Sequence, residues 1–298
     1  MSFIQPMFAA PMSVTRTTKK PVNVFDGNWI AEEKYDGHRL VVEVRAGKIW
    51  AWSRDGLLRH LPAHLEEMRD ILPNGIYDGE LIVPGGKCHD VTELTQLKDL
   101  VYVVFDILKE GLDVEDCMNE PYVKRRSRLE RLKLNGILSS DSGVVRCPNI
   151  KRFKTQEDLT RITREVWDAG GEGLILKNIT SIYVPGKRPK TAWVKIKKCE
   201  SAVLTIIGFE PSRGKIINRG PHATVILQDE QGNVTTVKTK NDVELVKFDR
   251  EAPKPTEEFQ LGSGPRHPSI GRKLRIEFQE RTADGSYREP RWDRWEDE

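Results

Sequence analysis

Near Lys198 the texture of the sequence changes, and the change divides the chain into two successive folding units of different class. Before it, strand-like and helix-like patterns alternate. Residues 40–45 and 48–52, joined by Ala46-Gly47, have the pattern of a β-hairpin. Pro62 opens a predicted helix running through Leu72, and Pro121 opens a basic one ending near Leu134. Thr155 stands where it can cap a helix whose Leu159, Ile162 and Val166 share a face, with Gly170-Gly171 as its stop. Residues 76–83, 101–108, 173–178 and 192–197 are rich in β-branched or alternating residues and read as strands. After Lys198, short apolar runs at 202–209, 223–227, 234–237 and 273–278 are separated by turn residues such as Gln231-Gly232-Asn233. That spacing is the pattern of a small β-barrel, and the acidic, proline-containing stretch 251–258 reads as a loop within it.

Composition excludes more than it selects. A 38% hydrophobic fraction suffices for a folded core, and 31% charged residues do not push the chain toward disorder. The net charge of +3 says little by itself. The cations are blocked, however: Lys187-Arg188, Lys190, Lys195, Lys197 and Lys198 form one group, and residues 124–131 another. Such blocks suit a polyanionic partner, and equally a solvated face. For the basic helix beginning at Pro121, a DNA-lining face and a plain solvated face carry equal weight. The cysteines (Cys88, Cys117, Cys147, Cys199) are too scattered for a zinc site or a disulfide framework, which points to a reducing, cytoplasmic setting, or host cytoplasm for a viral protein. The N-terminal stretch lacks the basic region of a secretion signal, and no run approaches the roughly 18 apolar residues of a membrane span.

The densest chemistry lies at Glu32-Glu33-Lys34-Tyr35-Asp36-Gly37-His38-Arg39, between a predicted strand ending at Lys34 and the hairpin. A lysine amine becomes a nucleophile only after losing its proton, and with a reference pKa of roughly 10.4 it needs burial or neighbouring cations. Further segments follow in series: Ser53-Arg54-Asp55-Gly56, Asp78-Gly79-Glu80, Phe105-Asp106, Glu172 to Lys177, and Trp193 to Lys197. Gly79 inside a strand suggests close backbone approach to a ligand. Lys195 and Lys197 alternate and therefore share a strand face.

Taken together, Lys34-Tyr35-Asp36-Gly37-His38-Arg39 resembles the K-x-D-G-x-R motif of the covalent nucleotidyltransferases, and the later segments resemble the ordered motifs of the ATP-dependent DNA ligases. The stretch 279–292 is similar to the end of the ligase OB domain. The resemblance spans essentially the whole chain. It implies an α+β fold: a nucleotidyltransferase (ATP-grasp-like) domain of antiparallel sheets and helices over 1–199, then an OB-fold β-barrel over 200–298. It implies ATP as cofactor with Mg²⁺, Mn²⁺ being able to substitute, and nicked duplex DNA as the substrate of a soluble monomer. Lys34 would attack the α-phosphate to form lysyl-AMP. Glu32 would meet the adenine edge and Phe105 stack on its face. Arg39 and Arg54 would hold ribose or phosphate, Glu80 the ribose, and Lys195 and Lys197 the phosphates. Glu172 and Glu80 would be metal ligands. Arg288 or Arg291, in a segment that follows the terminal family pattern loosely, would orient the pyrophosphate.

Two other readings remain open on sequence. An RNA ligase or a GTP-dependent capping guanylyltransferase shares the chemistry, although the 279–292 match argues against capping. A non-catalytic OB-type nucleic-acid module would leave the motif order of Lys34, Glu80, Glu172 and Lys195 unexplained. Too few residues precede Lys34 for the extra helical DNA-binding domain of larger ligases, so the duplex would be held by the two core domains.

Overall fold

Strands dominate the computed structural model, which describes residues 3–12, 22–92, 98–112, 115–139, 143–210, 224–239, 269–282 and 284–296. The chain divides into two units, Met1–Lys197 and Lys198–Glu298. In the first, one sheet contains β1 (Ala10–Pro11), β2 (Trp29–Lys34), β10 (Lys151–Arg152), β11 (Gly173–Asn178) and β12 (Trp193–Lys197), in the order β1-β12-β11-β2-β10. The other contains β3 (His38–Arg45), β4 (Lys48–Ser53), β5 (Leu58–Arg59), β6 (Gly75–Ile82), β7 (Val101–Glu110), β8 (Glu115–Asp116) and β9 (Val145–Arg146). Its order is β5-β4-β3-β6-β7-β8, with β9 parallel to β7. Pairing is otherwise antiparallel except between β1 and β12.

Period-two alternation gives the first sheet two unlike faces. Ala31, Leu174, Leu176 and Val194 pack on Leu159, Ile162 and Val166 of a helix, leaving Glu32, Lys34, Ile175, Lys177, Trp193, Lys195 and Lys197 to the opposite face. That helix, Gln156–Asp168, begins with the expected cap: Thr155 accepts from the Asp158 amide at 3.2 Å, and Asp158 accepts from the Thr155 amide at 3.3 Å. The second sheet buries Leu40, Val42, Val44, Tyr77, Tyr102 and Val104 with Leu65, Met68 and Leu129. Between the two sheets lies a smaller apolar group that includes Met7, Val41, Ile76, Leu108, Tyr183 and Trp193.

Among the described residues the α-helices of a turn or more are, in chain order, α1 (Ala63–Glu66), α2 (Met68–Ile71), α3 (Tyr122–Leu134) and α4 (Gln156–Asp168). The single helix expected over 62–72 is thus two short turns. It stops at Leu72, extended at ψ 135°, because Pro73 disfavours a helical conformation in the residue before it. Gly79 also departs from expectation. A Cβ there would lie 2.5 Å from the Val103 carbonyl oxygen and 2.6 Å from the Tyr102 ring, so the glycine serves strand packing rather than a ligand.

The second unit holds β13 (Glu200–Glu210), β14 (Thr224–Gln228), β15 (Val234–Lys238), β16 (Lys273–Phe278) and β17 (Arg291–Trp295), antiparallel in the order β15-β14-β13-β16-β17. Strand β17 was not foreseen. Trp292 and Trp295, three residues apart, break the alternation, yet both are buried, with ring centroids 5.0 Å apart. A register shift opposite Arg275 and Ile276 absorbs the extra residue and turns both indoles inward. The loop expected over 251–258 lies outside the described residues. Among the described residues, no helix is long and apolar enough to cross a membrane.

Candidate active site

Because β2 ends at Lys34 and pairs with β11 in the register Lys34 opposite Gly173, the nucleophile candidate stands beside a residue without a side chain, with Lys197 on its far side. Gly173 is obligatory there: its φ is 152°, and a Cβ would lie 2.0 Å from the Ile196 carbonyl oxygen. Glu172, just before it, fills the gap. Its Oε2 accepts from Lys34 Nζ and its Oε1 pairs with Lys197 Nζ at 2.9 Å. The Glu172 side chain is 2% exposed and that of Lys34 20%, so the amine retains an open side while its acceptor is shielded. Lys195 lies on the same strand face, opposite Ile175.

Glu32, two residues before Lys34, is a buried carboxylate held by three donors. Oε1 accepts from the Tyr122 hydroxyl and from Arg126 Nη1 at 3.1 Å, and Oε2 pairs with Lys177 Nζ at 2.7 Å. Lys177 also donates to the Phe105 carbonyl at 2.9 Å. Its ammonium lies 4.7 Å from the Phe105 ring, 4.7 Å from Tyr122 and 4.5 Å from Trp193. Burial pulls the Lys177 amine below the ordinary lysine range, with Glu32 opposing it. The sequence motifs include Lys177 only as the end of the segment that begins at Glu172, and give Tyr122 and Arg126 no site role. The signal available was spacing: 122, 125, 126 and 129 fall on one helical face. All four are buried, which takes this face of the basic helix out of both readings, while Lys124 and Arg131 of the same helix stay exposed: Arg125 pairs with Asp106 at 2.8 Å, and Arg128 with Glu110 at 2.6 Å.

Strands β3 and β6 contribute the opposite wall. Arg39 grips Asp78 with two hydrogen bonds of 2.6 Å, and Asp78 also accepts from the Tyr183 hydroxyl at 2.6 Å. The Arg39 guanidinium sits 4.6 Å from the Phe105 ring centroid. Glu80, directly across from Arg39, has its carboxyl pushed up to about 7 by burial; Arg39 and Lys34 pull it down, while Asp78 and Glu172 add to the rise. The structure therefore gathers Glu32, Lys34, Arg39, Glu80, Phe105, Glu172, Lys195 and Lys197 in one unit. Arg54 is not drawn in: its side chain is 62% exposed and lies 3.8 Å from Asp55. Arg288 and Arg291 belong to the second unit, beside Glu280 at 2.7 Å and Glu289 at 3.2 Å.

Residues 6–197 match the sequence profile of the ATP dependent DNA ligase domain. A DNA ligase of Thermococcus fumicolans is 28% identical over 232 residues, covering 71% of this chain and 39% of that protein. A DNA ligase of Archaeoglobus fulgidus is 30% identical over 207 residues, 62% of this chain and 35% of that protein. The chain thus spans well under half the length of these curated relatives. A solved Lig E DNA ligase superposes with a TM-score of 0.70 over 99% of this chain and 100% of that one, at 17% identity, a likeness of fold.

Proposed function

The chain belongs to the ATP-dependent DNA ligase family, and from that membership we propose that it seals nicks in duplex DNA through a lysyl-AMP intermediate. The observation that carries the reading is the Lys34–Glu172–Lys197 arrangement: an accessible amine hydrogen-bonded to a shielded carboxylate, with a second cation on that carboxylate. In the first step the Lys34 lone pair attacks the α-phosphorus, the bond to the β-phosphate oxygen breaks, and pyrophosphate leaves. Glu172 is the hydrogen-bonded acceptor for the proton the amine gives up. A DNA 5′-phosphate oxygen next takes AMP from Lys34, breaking the N–P bond. The 3′-hydroxyl then attacks that 5′-phosphorus and AMP departs.

Phosphoryl transfer depends on positioning and charge neutralisation, which suits Arg39, Lys195 and Lys197 around the phosphates. Phe105 would stack on the adenine, Glu32 meet its edge and Glu80 its ribose, with the exposed Arg54 reaching ribose or phosphate and Arg288 or Arg291 acting on the pyrophosphate. Glu172 and Glu80 fit a hard divalent ion, because Glu80 senses Glu172 as a like charge that such an ion relieves. They would hold Mg²⁺, or Mn²⁺ in its place, which when bound supplies neutralisation of phosphate charge. The second unit, a five-stranded antiparallel sheet, would be the OB domain beginning near residue 200. The four cysteines are free thiols, which suits a cytoplasmic monomer.

The test is sealing of a singly nicked duplex, labelled at the nick 5′-phosphate, with ATP and Mg²⁺. A joined strand, preceded by an adenylated 5′-end, is expected from the wild type, and neither from Lys34→Ala. Sealing that persists in Lys34→Ala removes the covalent route. Absence of product on DNA, with joining of an RNA nick, moves the assignment to RNA.

A further inference from the structure

An ionised carboxylate offers about four acceptor sites on two oxygens. In Glu32 three are taken: two on Oε1 by Tyr122 and Arg126, and one on Oε2 by Lys177. Tyr122 and Arg126 stand one turn apart on α3, and Arg126 is itself fixed by Glu130 at 2.6 Å. Tyr122 also reaches the Phe105 carbonyl at 3.3 Å, so the same helix braces the carboxylate and the strand that carries the ring. We propose that Tyr122 and Arg126 are positioning residues for base selection: they fix the direction of the acceptor left on Glu32, so that a purine bearing an exocyclic amine is taken and one bearing a carbonyl at that edge is refused. This rests on the reading that the site binds ATP. The physical ground is that a buried acceptor, Glu32 having a side chain 2% exposed, has little water to substitute for a missing donor. A carboxylate free to rotate would retreat from a carbonyl; one clamped from α3 cannot.

The experiment compares enzyme–AMP with enzyme–IMP formation, from ATP and inosine triphosphate, in wild type, Tyr122→Phe and Arg126→Lys. Both substitutions keep most of the side-chain volume, and a thermal melt establishes that each variant is folded. The ATP-over-inosine preference in kcat/KM is expected to fall on the order of tenfold in each variant, through loss with ATP rather than equal loss with both. In a Glu32→Gln background, Tyr122→Phe should add no further change. Folded variants with an unchanged preference, or with equal losses on the two nucleotides, overturn the positioning role and leave the ligase reading intact. A wild type that takes up label from neither nucleotide overturns the ligase reading and this inference together.

Discussion

At Glu172 two lysines share one carboxylate, and the geometry separates their roles. In the proposed adenylation Lys34 is the one whose amine would be freed, whereas Lys197 would keep Glu172 in place as Lys34 turned to phosphate. Glu172→Gln keeps the shape but gives up the charge, so enzyme–AMP formation, followed with labelled ATP, should drop about 10²–10⁴-fold with the fold intact. Glu80 adds a pH dependence. Its folded pKa, about 7, lies above its ordinary value of 4.5, so between those values the folded protein holds a proton that the unfolded chain has released. The contribution of Glu80 to stability is therefore fully present below 4.5 and is lost as pH rises through 7. Only above that point is the group a carboxylate able to meet ribose or metal. The adenylation kcat/KM should accordingly rise through about pH 7, and Glu80→Gln should lose that limb while gaining relative stability at alkaline pH. A limb that survives Glu80→Gln belongs to another group. Of these residues the sequence displayed identity and order, because motif spacing survives without coordinates. It did not display partners: nothing local ties Glu32 to Tyr122 or Arg126, which lie far along the chain and meet it only through the packing of α3.

Among the elements, α3 shows how far composition can mislead. A run of cations reads as a wet or DNA-facing surface, but Arg125 is fully buried against Asp106 and Arg126 against Glu32. Charge frequency says how many cations a segment has; helical periodicity says which way they point, and only the second was informative here. Strand β17 is the converse case, since its bulge defeats the period-two pattern by which strands are found. Strand β12 was legible because Val194, Lys195, Ile196 and Lys197 alternate, and β11 because its apolar run is bounded by Gly173 and Asn178. The buried ion pair also yields a prediction. Removing Arg125 strands the Asp106 carboxylate, which is 0% exposed, and breaking a buried pair in this way costs about 3–5 kcal/mol. Arg125→Met should lower the first unit's melting temperature by roughly 10 °C. A shift of a degree or less would mean that Asp106 finds solvent or another partner.

For the molecule as a whole, the texture change near Lys198 indicated two units, and it did so because mixed helix–strand and all-strand segments bury apolar residues with different periods. Charge placement, by contrast, is set by packing. Arg125 and Arg126 of α3 are spent on the buried Asp106 and Glu32 and cannot serve a polyanion, so a field that gathers DNA would come from the exposed cations, among them Lys124, Arg131, Lys187 and Arg188. A net charge of +3 therefore understates how selectively the basic surface is distributed. If duplex DNA is held by such phosphate contacts, binding releases counterions and must weaken with salt. Affinity for a nicked duplex should fall by tenfold or more between roughly 50 and 200 mM salt, and replacing Lys187 and Arg188 together with Gln should flatten that dependence. Enzyme–AMP formation, which involves no DNA, should change far less over the same range. The two measurements separate a field that gathers substrate from the charges that perform chemistry. Parallel losses in both would mean that salt acts on the Lys34 site itself, and that the exposed cations contribute little to holding the duplex.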